Sequence, residues 1–366
     1  MSKLTCGFIG LGLIGGSIAK ALKENIPDIR IIAFDISRES LALAAKENLA
    51  DVTVSVINEA FSECDYIFLC APVRKNDENL AAVKKFINPD CLLTDVGSVK
   101  TGIHQAVCRA GLDHCFIGGH PMAGSERVGF LNSRAALLEN AYYILTPTSS
   151  VPGRKLDAYR ELVSGMRAIP LVLDYREHDY VTAAISHLPH VVAASLVNLV
   201  CRSDSRDGIM RTVAAGGFKD ITRIASSQAG MWQQICLTNG SNISSLLSGY
   251  IDILTRFQEA LDAGDSEFLY TQFENARGYR DSLPNASCGP IKRSYRISVE
   301  IPDRSGTLAH ITTLLAGREI SIKNIGITHN REGDDGVLKI EFYDENALNL
   351  AAGILKASGY QTGIPS

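Results

Sequence analysis

The chain has 366 residues, of which 46% are hydrophobic and 21% charged, and its formal net charge is −4. These values indicate a globular protein of two or three domains, and the small negative charge argues against nonspecific nucleic-acid binding. Nine scattered cysteines without a C-x-x-C pair argue against a disulfide scaffold or a zinc site, so we expect free thiols, no bound metal and a cytoplasmic location.

Residues 1–172 alternate short apolar runs with segments that are apolar at helical spacing. Such alternation, with strands that are apolar throughout, is typical of a parallel sheet covered by helices on both faces. We therefore predict an α/β Rossmann-type doubly wound sheet. Its strands are expected near residues 4–10, 29–35, 66–72, 91–97, 115–120 and 142–148.

The first predicted strand leads into GLGLIGG, which opens a helical pattern. Gly10 permits a tight turn, Gly12 lets a pyrophosphate approach the backbone, and Gly15 lets the helix pack on the sheet. Asp35 ends the second strand, 20 residues after Gly15. Unless it is a plain turn residue, its carboxylate suits a ribose diol and repels a 2′-phosphate, which predicts NAD rather than NADP. The predicted contacts are Gly10, Leu11, Gly12, Leu13, Ile14, Gly15 and Asp35.

Two further strand ends are expected to line the same crevice, because ligands of such sheets bind beyond the carboxyl ends of strands. The segment FLCAPV places Ala71, Pro72 and Val73 there, and DVGSVK places Gly97 and Ser98 there.

His120 lies at the end of another predicted strand, in GGHPMAGSE. Removal of hydride from an alcohol carbon needs a base for the hydroxyl proton, and a neutral imidazole suits that role. Ser98 either orients the same hydroxyl or caps the following helix, and the sequence leaves both alternatives open.

Residues 173–285 predict an all-α domain in which residues 181–201 carry no charge over the length of a membrane span. His187, Pro189 and His190 within that run favour a core or subunit-interface helix over a membrane segment. Further along, GGFKDITRIA places Lys219 and Arg223 four residues apart on one helix face. That face is either solvent-exposed and salt-bridged or used for carboxylate capture.

After a linker at residues 282–290, residues 291–366 predict a small β-α-β-β-α unit of the α+β class. The three predicted domains are therefore residues 1–172, 173–285 and 291–366.

The motifs GFIGLGLIGGS, DVGSVK, GGHPMAGSE, HLPH and GGFKDITRIA occur in this order between residues 5 and about 285. Together they resemble the prephenate dehydrogenase family of tyrosine biosynthesis. The resemblance implies NAD-dependent oxidative decarboxylation of prephenate to 4-hydroxyphenylpyruvate and CO2.

The resemblance also implies roles for individual residues. His120 would accept the proton of the ring hydroxyl, Ser98 would bridge that hydroxyl to the nicotinamide end, and Arg223 would bind a substrate carboxylate and help to keep His120 neutral. The implied substrate-binding residues are His190, Lys219, Gly216, Trp232 and Glu126.

The C-terminal segment EIPDRSGTLAHITTLL is similar to the start of an ACT domain, which implies tyrosine as a feedback effector. The implied contacts are Asp303, Ser305, Gly306 and Asn324. A dimerisation module without a ligand is the alternative. We expect a homodimer through the helical domain, with further pairing through the ACT domain left open.

Four alternatives differ from a prephenate dehydrogenase. Arogenate, with an amino group in place of the side-chain keto group, is the first alternative substrate. A β-hydroxyacid dehydrogenase would not explain HPMAGSE, and a phosphoglycerate-type dehydrogenase has its nucleotide fold inserted mid-chain. A non-catalytic sensor that binds NAD and an amino acid would not need His120, Ser98 and Arg223 together.

Overall fold

A computed structural model describes residues 3–71, 73–124, 127–283, 295–302, 304, 306–329 and 335–363. The chain divides into two compact units, residues 1–281 and 282–366. The cysteines of the described part are all free thiols.

The first unit contains a five-stranded parallel sheet in the order β3-β2-β1-β4-β5. Its strands are β1 (Thr5–Ile9), β2 (Arg30–Phe34), β3 (Val52–Val54), β4 (Tyr66–Leu69) and β5 (Leu92–Asp95). Phe8 and Ile9 belong to two separate buried clusters on opposite faces, as do Ile31 and Ile32. Burial on both faces explains why these strands are apolar throughout, and it confirms the predicted Rossmann-type fold.

A second, three-stranded sheet joins the strands β6 (Ile117–Pro121), β7 (Tyr142–Pro147) and β8 (Ile169–Val172). Sequence periodicity assigned β6 and β7 to the parallel sheet, which is wrong, because β7 runs antiparallel to β6. Short 3₁₀ turns lie between β6 and β7, with no α-helix among the described residues of this connection, and the chain returns antiparallel. A parallel bridge between Leu93 and Phe116 links the two sheets.

Helices pack around these sheets and then continue without strands to the end of the unit. Those of the nucleotide-binding half are α1 (Leu13–Asn25), α2 (Arg38–Lys46), α3 (Val73–Val83), α4 (Thr101–Ala110) and α5 (Gly153–Gly165). Those of the helical half are α6 (Tyr175–Thr182), α7 (Leu188–Ser203), α8 (Ile209–Val213), α9 (Gly216–Thr222), α10 (Ala229–Thr238), α11 (Gly240–Ala263) and α12 (Ser266–Ser282).

A π-helical turn, Ala183–His187, joins α6 to α7 into one helix from Tyr175 to Ser203. This helix is long and apolar enough to cross a membrane by length and composition alone, but such a lone helix is weak support for a span. Only 11% of its most apolar window is buried within the chain. The alternative of a core helix is therefore wrong for the single chain, whereas a subunit interface stays a prediction.

The second unit has the predicted β-α-β-β-α order and one further short strand. Its elements are β9 (Tyr295–Pro302), α13 (Thr307–Ala316), β10 (Ile322–His329), β11 (Asp335–Phe342), α14 (Glu345–Ala357) and β12 (Thr362–Gly363). The sheet order is β10-β11-β9-β12, and the core includes Ile297, Val299 and Leu315.

Candidate active site

The glycine-rich turn lies at the carboxyl end of β1. Gly10 has φ +105°, and a Cβ there would lie 2.9 Å from the backbone N of Ala71. A Cβ at Gly15 would lie 2.5 Å from the carbonyl oxygen of Gly10. By contrast, a Cβ at Gly12 would meet no described atom within 4 Å. Gly10 and Gly15 therefore serve the fold, whereas Gly12 leaves open space at the start of α1 that fits an approaching pyrophosphate.

Asp35 follows β2 beside this turn. One carboxylate oxygen accepts a hydrogen bond from Leu11 N at 2.6 Å, and the other accepts from Ser37 N at 2.7 Å. Each carboxylate oxygen has a second lone pair, so both remain able to accept from a ribose diol. Leu11 is buried, and Leu13 and Ile14 form the first turn of α1.

The other predicted strand ends lie as expected for a crevice above the sheet. Ala71 follows β4, Val73 begins α3, and Gly97 and Ser98 follow β5. Pro72 lies outside the described residues.

Ser98 was expected either to cap α4 or to orient a substrate hydroxyl. The cap of α4 comes instead from Asp179 of α6. Its carboxylate accepts hydrogen bonds from Lys100 N at 2.7 Å, Thr101 N at 2.8 Å and the Thr101 hydroxyl at 2.6 Å. The capping alternative for Ser98 is therefore wrong, and its half-buried hydroxyl stays available for a ligand.

His120 lies within β6, opposite Ile144 of β7. Its neighbour Gly119 donates its backbone N–H to the Asp95 carboxylate at the end of β5, at 3.2 Å. The half-buried imidazole is therefore fixed next to the carboxyl end of the parallel sheet, where the glycine-rich turn also lies.

A hydrogen-bonded relay runs from His120 into α6. His120 Nδ1 lies 2.7 Å from His178 Nε2, and His178 Nδ1 lies 2.8 Å from Asp179 Oδ1. His178 and Asp179 are buried, at 0% and 1% exposure. Burial alone would raise the pKa of Asp179, but hydrogen bonds from His178, Thr101 and two backbone N–H groups bring it below its usual value.

The relay fixes the tautomer of each ring. An ionised carboxylate only accepts hydrogen bonds, so we assign the His178 proton to Nδ1, which faces Asp179. His178 Nε2 then carries a lone pair and accepts from His120 Nδ1–H. This leaves the lone pair of His120 on Nε2, the ring nitrogen outside the relay, which is the form that a general base requires.

Burial, with the neighbouring His178, Lys100 and His187, holds the pKa of His120 well below its usual value. The resemblance to the family implied Arg223 as a cation with this effect, which stays a prediction. Lys100, which follows β5, contributes to the effect, and Arg223 helps to lower the pKa of His190.

A second polar branch leads from the same helix to His187. Asn239 Nδ2 donates to the backbone oxygen of Asp179 at 2.7 Å and to His187 Nδ1 at 3.1 Å. Burial lowers the pKa of His187 to about 4, so this ring is neutral with its proton on Nε2. The π-helical turn ends at His187 and therefore sets the position of this branch.

The predicted substrate-binding residues of the helical half form a neighbouring group. His190 stacks on Trp232 with ring centroids 3.5 Å apart, and His190 Nδ1 donates to Ser186 O at 2.9 Å. Trp232 Nε1 is buried without a hydrogen-bond partner among the described residues. Arg223 opens a 3₁₀ turn directly after α9, so an unbroken helix through Arg223 is wrong.

The remaining predicted positions are distributed over both units. Gly216 begins α9, and Lys219 lies exposed within it. Glu126 lies outside the described residues, as do Asp303 and Ser305 of the C-terminal unit. Gly306 has φ +92° and caps α13, and Asn324 is an exposed residue of β10.

Two domain models match the chain: the prephenate dehydrogenase nucleotide-binding domain over residues 18–170 and the prephenate dehydrogenase dimerization domain over residues 174–275. A prephenate dehydrogenase of Bacillus subtilis is 37% identical over 363 residues, covering 96% of each chain. The chain belongs to the prephenate dehydrogenase family. Like the family, it is an NAD-dependent oxidoreductase, so the predicted activity and cofactor are confirmed.

Two solved structures are similar to this chain over about three quarters of its length. Prephenate dehydrogenase from A. aeolicus, in complex with hydroxyphenyl propionate and NAD+, has a TM-score of 0.73 and 29% identity, over 78% of this chain and 99% of that one. Synechocystis arogenate dehydrogenase has a TM-score of 0.69 and 26% identity, over 76% of this chain and 99% of that one. The likeness agrees with the Rossmann-like and helical parts of the predicted fold.

The sequence did not indicate several residues that surround His120. His178, Asp179, Asn239 and Lys100 contact His120 or one another, yet they come from distant parts of the chain. The adjacent His and Asp in REHDYV, in the first turns of an otherwise apolar helix, are the pattern that could have suggested the relay.

Proposed function

We propose that the protein uses His120 Nε2 as the base that takes the proton of the ring 4-hydroxyl of prephenate. The C4 hydrogen leaves as hydride, so C4 becomes a ring carbonyl. The ring carboxylate then departs as CO2, the electron pair of its C–C bond enters the ring on aromatisation, and the C4 oxygen takes a proton back from His120 to give the phenol of 4-hydroxyphenylpyruvate. NAD+, when bound, accepts the hydride. The single observation that carries the proposal is the relay His120–His178–Asp179, which presents Nε2 with its lone pair.

The relay also compensates the charge that the reaction creates on His120. Protonation of Nε2 makes an imidazolium whose Nδ1–H still donates to His178. His178 in turn donates to the Asp179 carboxylate, which supplies a negative charge through one intervening ring. At rest the low pKa of His120 keeps the base neutral at neutral pH.

The cofactor is held by the turn above β1. The open space at Gly12 accepts the pyrophosphate at the start of α1, and Asp35 accepts hydrogen bonds from the adenosine ribose. Ser98 and Gly97, beyond β5, face the nicotinamide end, where the Ser98 hydroxyl bridges the substrate hydroxyl and His120.

The substrate carboxylates are bound from the helical half. Arg223 pairs with one carboxylate, and Lys219, exposed in α9, adds a second positive charge for the dianion. Trp232 Nε1–H is a buried donor without a partner in the described part of the chain, and it suits an oxygen of the pyruvyl side chain. His190, stacked on Trp232, orients that indole.

The decisive assay follows NADH formation by purified protein with prephenate and arogenate in turn, each with NAD and with NADP. We expect turnover with prephenate and NAD. Turnover with arogenate but not with prephenate would identify arogenate as the substrate. No turnover with any pair of substrate and cofactor would reject the proposal.

We infer that the active form is a homodimer built on the helical half. The helix Tyr175–Ser203 is mostly unburied within one chain, and apolar side chains on several helices are exposed. Examples are Ile185, Leu199, Ile221, Leu237, Ile251 and Leu261. Light scattering should give twice the chain mass, and Leu199→Glu with Ile251→Glu should give monomers. A wild-type chain that stays monomeric at assay concentration would contradict this.

We also propose that tyrosine inhibits through the C-terminal unit. Its ACT-like sequence, its β-α-β-β-α order and Gly306 as the N-cap of α13 support this. Millimolar tyrosine should inhibit the full chain but not a chain ending near residue 283. Equal inhibition of both would place the effector at the active site.

A further inference from the structure

Lys100 is a completely buried lysine, and the relay described above does not use its side chain. Its exposure is 0%, and its ammonium group forms an ion pair with Asp95, which is 1% exposed. Lys100 Nζ also donates to the backbone oxygen of Gly119 at 2.7 Å. Even when it is paired and hydrogen-bonded, a buried ammonium group often stabilises a protein no more than an apolar side chain of similar volume would. Stability alone therefore does not explain a lysine at this position.

The ion pair holds the backbone of Gly119, the residue that precedes His120, from both sides. Asp95 accepts from Gly119 N at 3.2 Å, while Lys100 donates to Gly119 O at 2.7 Å. A Cβ at Gly119 would lie 2.6 Å from Asp95 O, and one at Gly118 would lie 3.1 Å from Lys100 Cδ. The two glycines therefore let β6 approach the pair closely enough for both hydrogen bonds.

The backbone of Lys100 holds the other end of the relay. Lys100 N donates to Asp179 Oδ1 at 2.7 Å, the same oxygen that lies 2.8 Å from His178 Nδ1. Lys100 is thus attached to the main chain next to His120 through its side chain and to the end of the relay through its backbone.

We propose that Lys100, with Asp95 as its counter-ion, is a positioning residue that fixes His120 and keeps a positive charge beside it. The proposal rests on the proposed role of His120 as the base. The groups that contribute around the imidazole are His178 from α6, His187 from the π-helical turn and Lys100 from the segment before α4. Burial lowers the pKa of the Lys100 ammonium group, and the ion pair with Asp95 opposes that shift and favours the charged form. A positive charge on Lys100 disfavours a second positive charge on His120.

This role predicts a change in the pH dependence of catalysis and not only in stability. Removal of the ammonium charge raises the pKa of His120, so the base becomes protonated at a higher pH. The acid limb of kcat/KM should then move upward by about one pH unit, which lowers kcat/KM about tenfold below that limb.

The test compares two variants with a matched control. Lys100→Met removes the charge but leaves Asp95 unpaired, and Asp95→Asn with Lys100→Met removes both charges, which guards against a folding defect. The control is Lys155→Met. Lys155 also donates to backbone oxygens, those of Pro89 at 3.2 Å and Cys91 at 3.0 Å, but these lie at the opposite end of β5. Each variant is measured by thermal melting, by NAD titration and by the pH profile of kcat/KM.

We expect both Lys100 variants to shift the acid limb upward and lower kcat while NAD affinity stays near the wild-type value. Lys155→Met should keep the wild-type limb. A folded Lys100 variant with an unchanged limb would overturn the proposal for Lys100. If His120→Asn in the same assay retained the wild-type limb, the role of His120 itself would fail, so the two failures are distinguishable.

Discussion

The two ends of the active site are built in different ways. At the nucleotide end, Gly10, Gly12, Gly15 and Asp35 lie within 26 consecutive residues, and each has a role that its own short segment explains. At the proton-transfer end, His120 depends on groups from β5, α6 and the segment before α4, which are joined by hydrogen bonds across up to 79 positions of sequence.

The difference follows from what each end must do. A phosphate site needs free backbone N–H groups and a close approach, which one strand–turn–helix unit supplies. A neutral base needs a buried environment, a fixed tautomer and nearby charges, and these come from side chains that meet only in the folded protein. Substitutions at the proton-transfer end should therefore change kcat and its pH dependence, and those at the nucleotide end should change cofactor binding.

His120→Asn should have the largest effect. Without the base, we expect kcat to fall about 10³-fold while KM for prephenate changes little. The wild-type His120 has a lowered pKa, so it stays neutral as the pH falls and loses activity only when the pH passes that lowered pKa. The variant should lose this limb. His114→Asn, at an exposed histidine, is the control, and near-normal turnover of His120→Asn would remove His120 as the base.

Asp179→Asn tests the relay rather than the base. An amide nitrogen facing His178 Nδ1 would place the His178 proton on Nε2, which would turn the lone pair of His120 away from Nε2. We expect kcat to fall about 10²-fold through this tautomer change, with NAD affinity retained.

Asp174→Asn is the matched control for Asp179→Asn, because Asp174 caps α6 through Arg176 N at 2.8 Å but takes no part in the relay. An Asp179→Asn enzyme with the same kcat as this control would show that the relay has no catalytic role.

The sequence is enough to propose the nucleotide end and His120 as the base, because each has a pattern confined to a short segment. The surroundings of His120 could not be predicted in this way. Nothing in DVGSVK indicates that Lys100 is buried, and nothing in REHDYV indicates that Asp179 caps α4, because both facts depend on how β6 and α6 dock against β5.

The fold was predictable to a similar extent. The class and the element order follow from apolar strands alternating with amphipathic helices. The direction of β7 does not, because it depends on how the 3₁₀ turns Phe130–Asn132 and Ala135–Leu137 pack against α1. The π-helical turn before α7 could not be predicted either, because HLPH is compatible with a regular helix that begins at its proline.

Gly12→Ala and Gly15→Ala test whether Gly12 serves cofactor binding and Gly15 serves folding. Gly12 has open space and an extended backbone, so Gly12→Ala should keep the wild-type melting temperature but weaken NAD binding about tenfold, or about 1.4 kcal/mol. Gly15→Ala places a methyl group against the oxygen of Gly10, and should cost about 1–3 kcal/mol of stability. Equal melting temperatures of the two variants would contradict this division.

Asp35→Ser should give the smallest change, a shift in cofactor preference rather than a loss of catalysis. A serine hydroxyl, unlike the Asp35 carboxylate, does not repel a 2′-phosphate. Arg38, exposed at the start of α2, lies three residues further on and is a cation that a 2′-phosphate could approach. We expect the ratio of kcat/KM for NAD over NADP to fall about tenfold, since one charge repulsion of about 1.4 kcal/mol is removed. Asp51→Ser is the control, because Asp51 accepts from Ile31 N and pairs with Lys23 at the far end of β2. It should reduce stability without altering that ratio. An unchanged ratio in Asp35→Ser would mean that the loop backbone, and not the carboxylate, selects the cofactor.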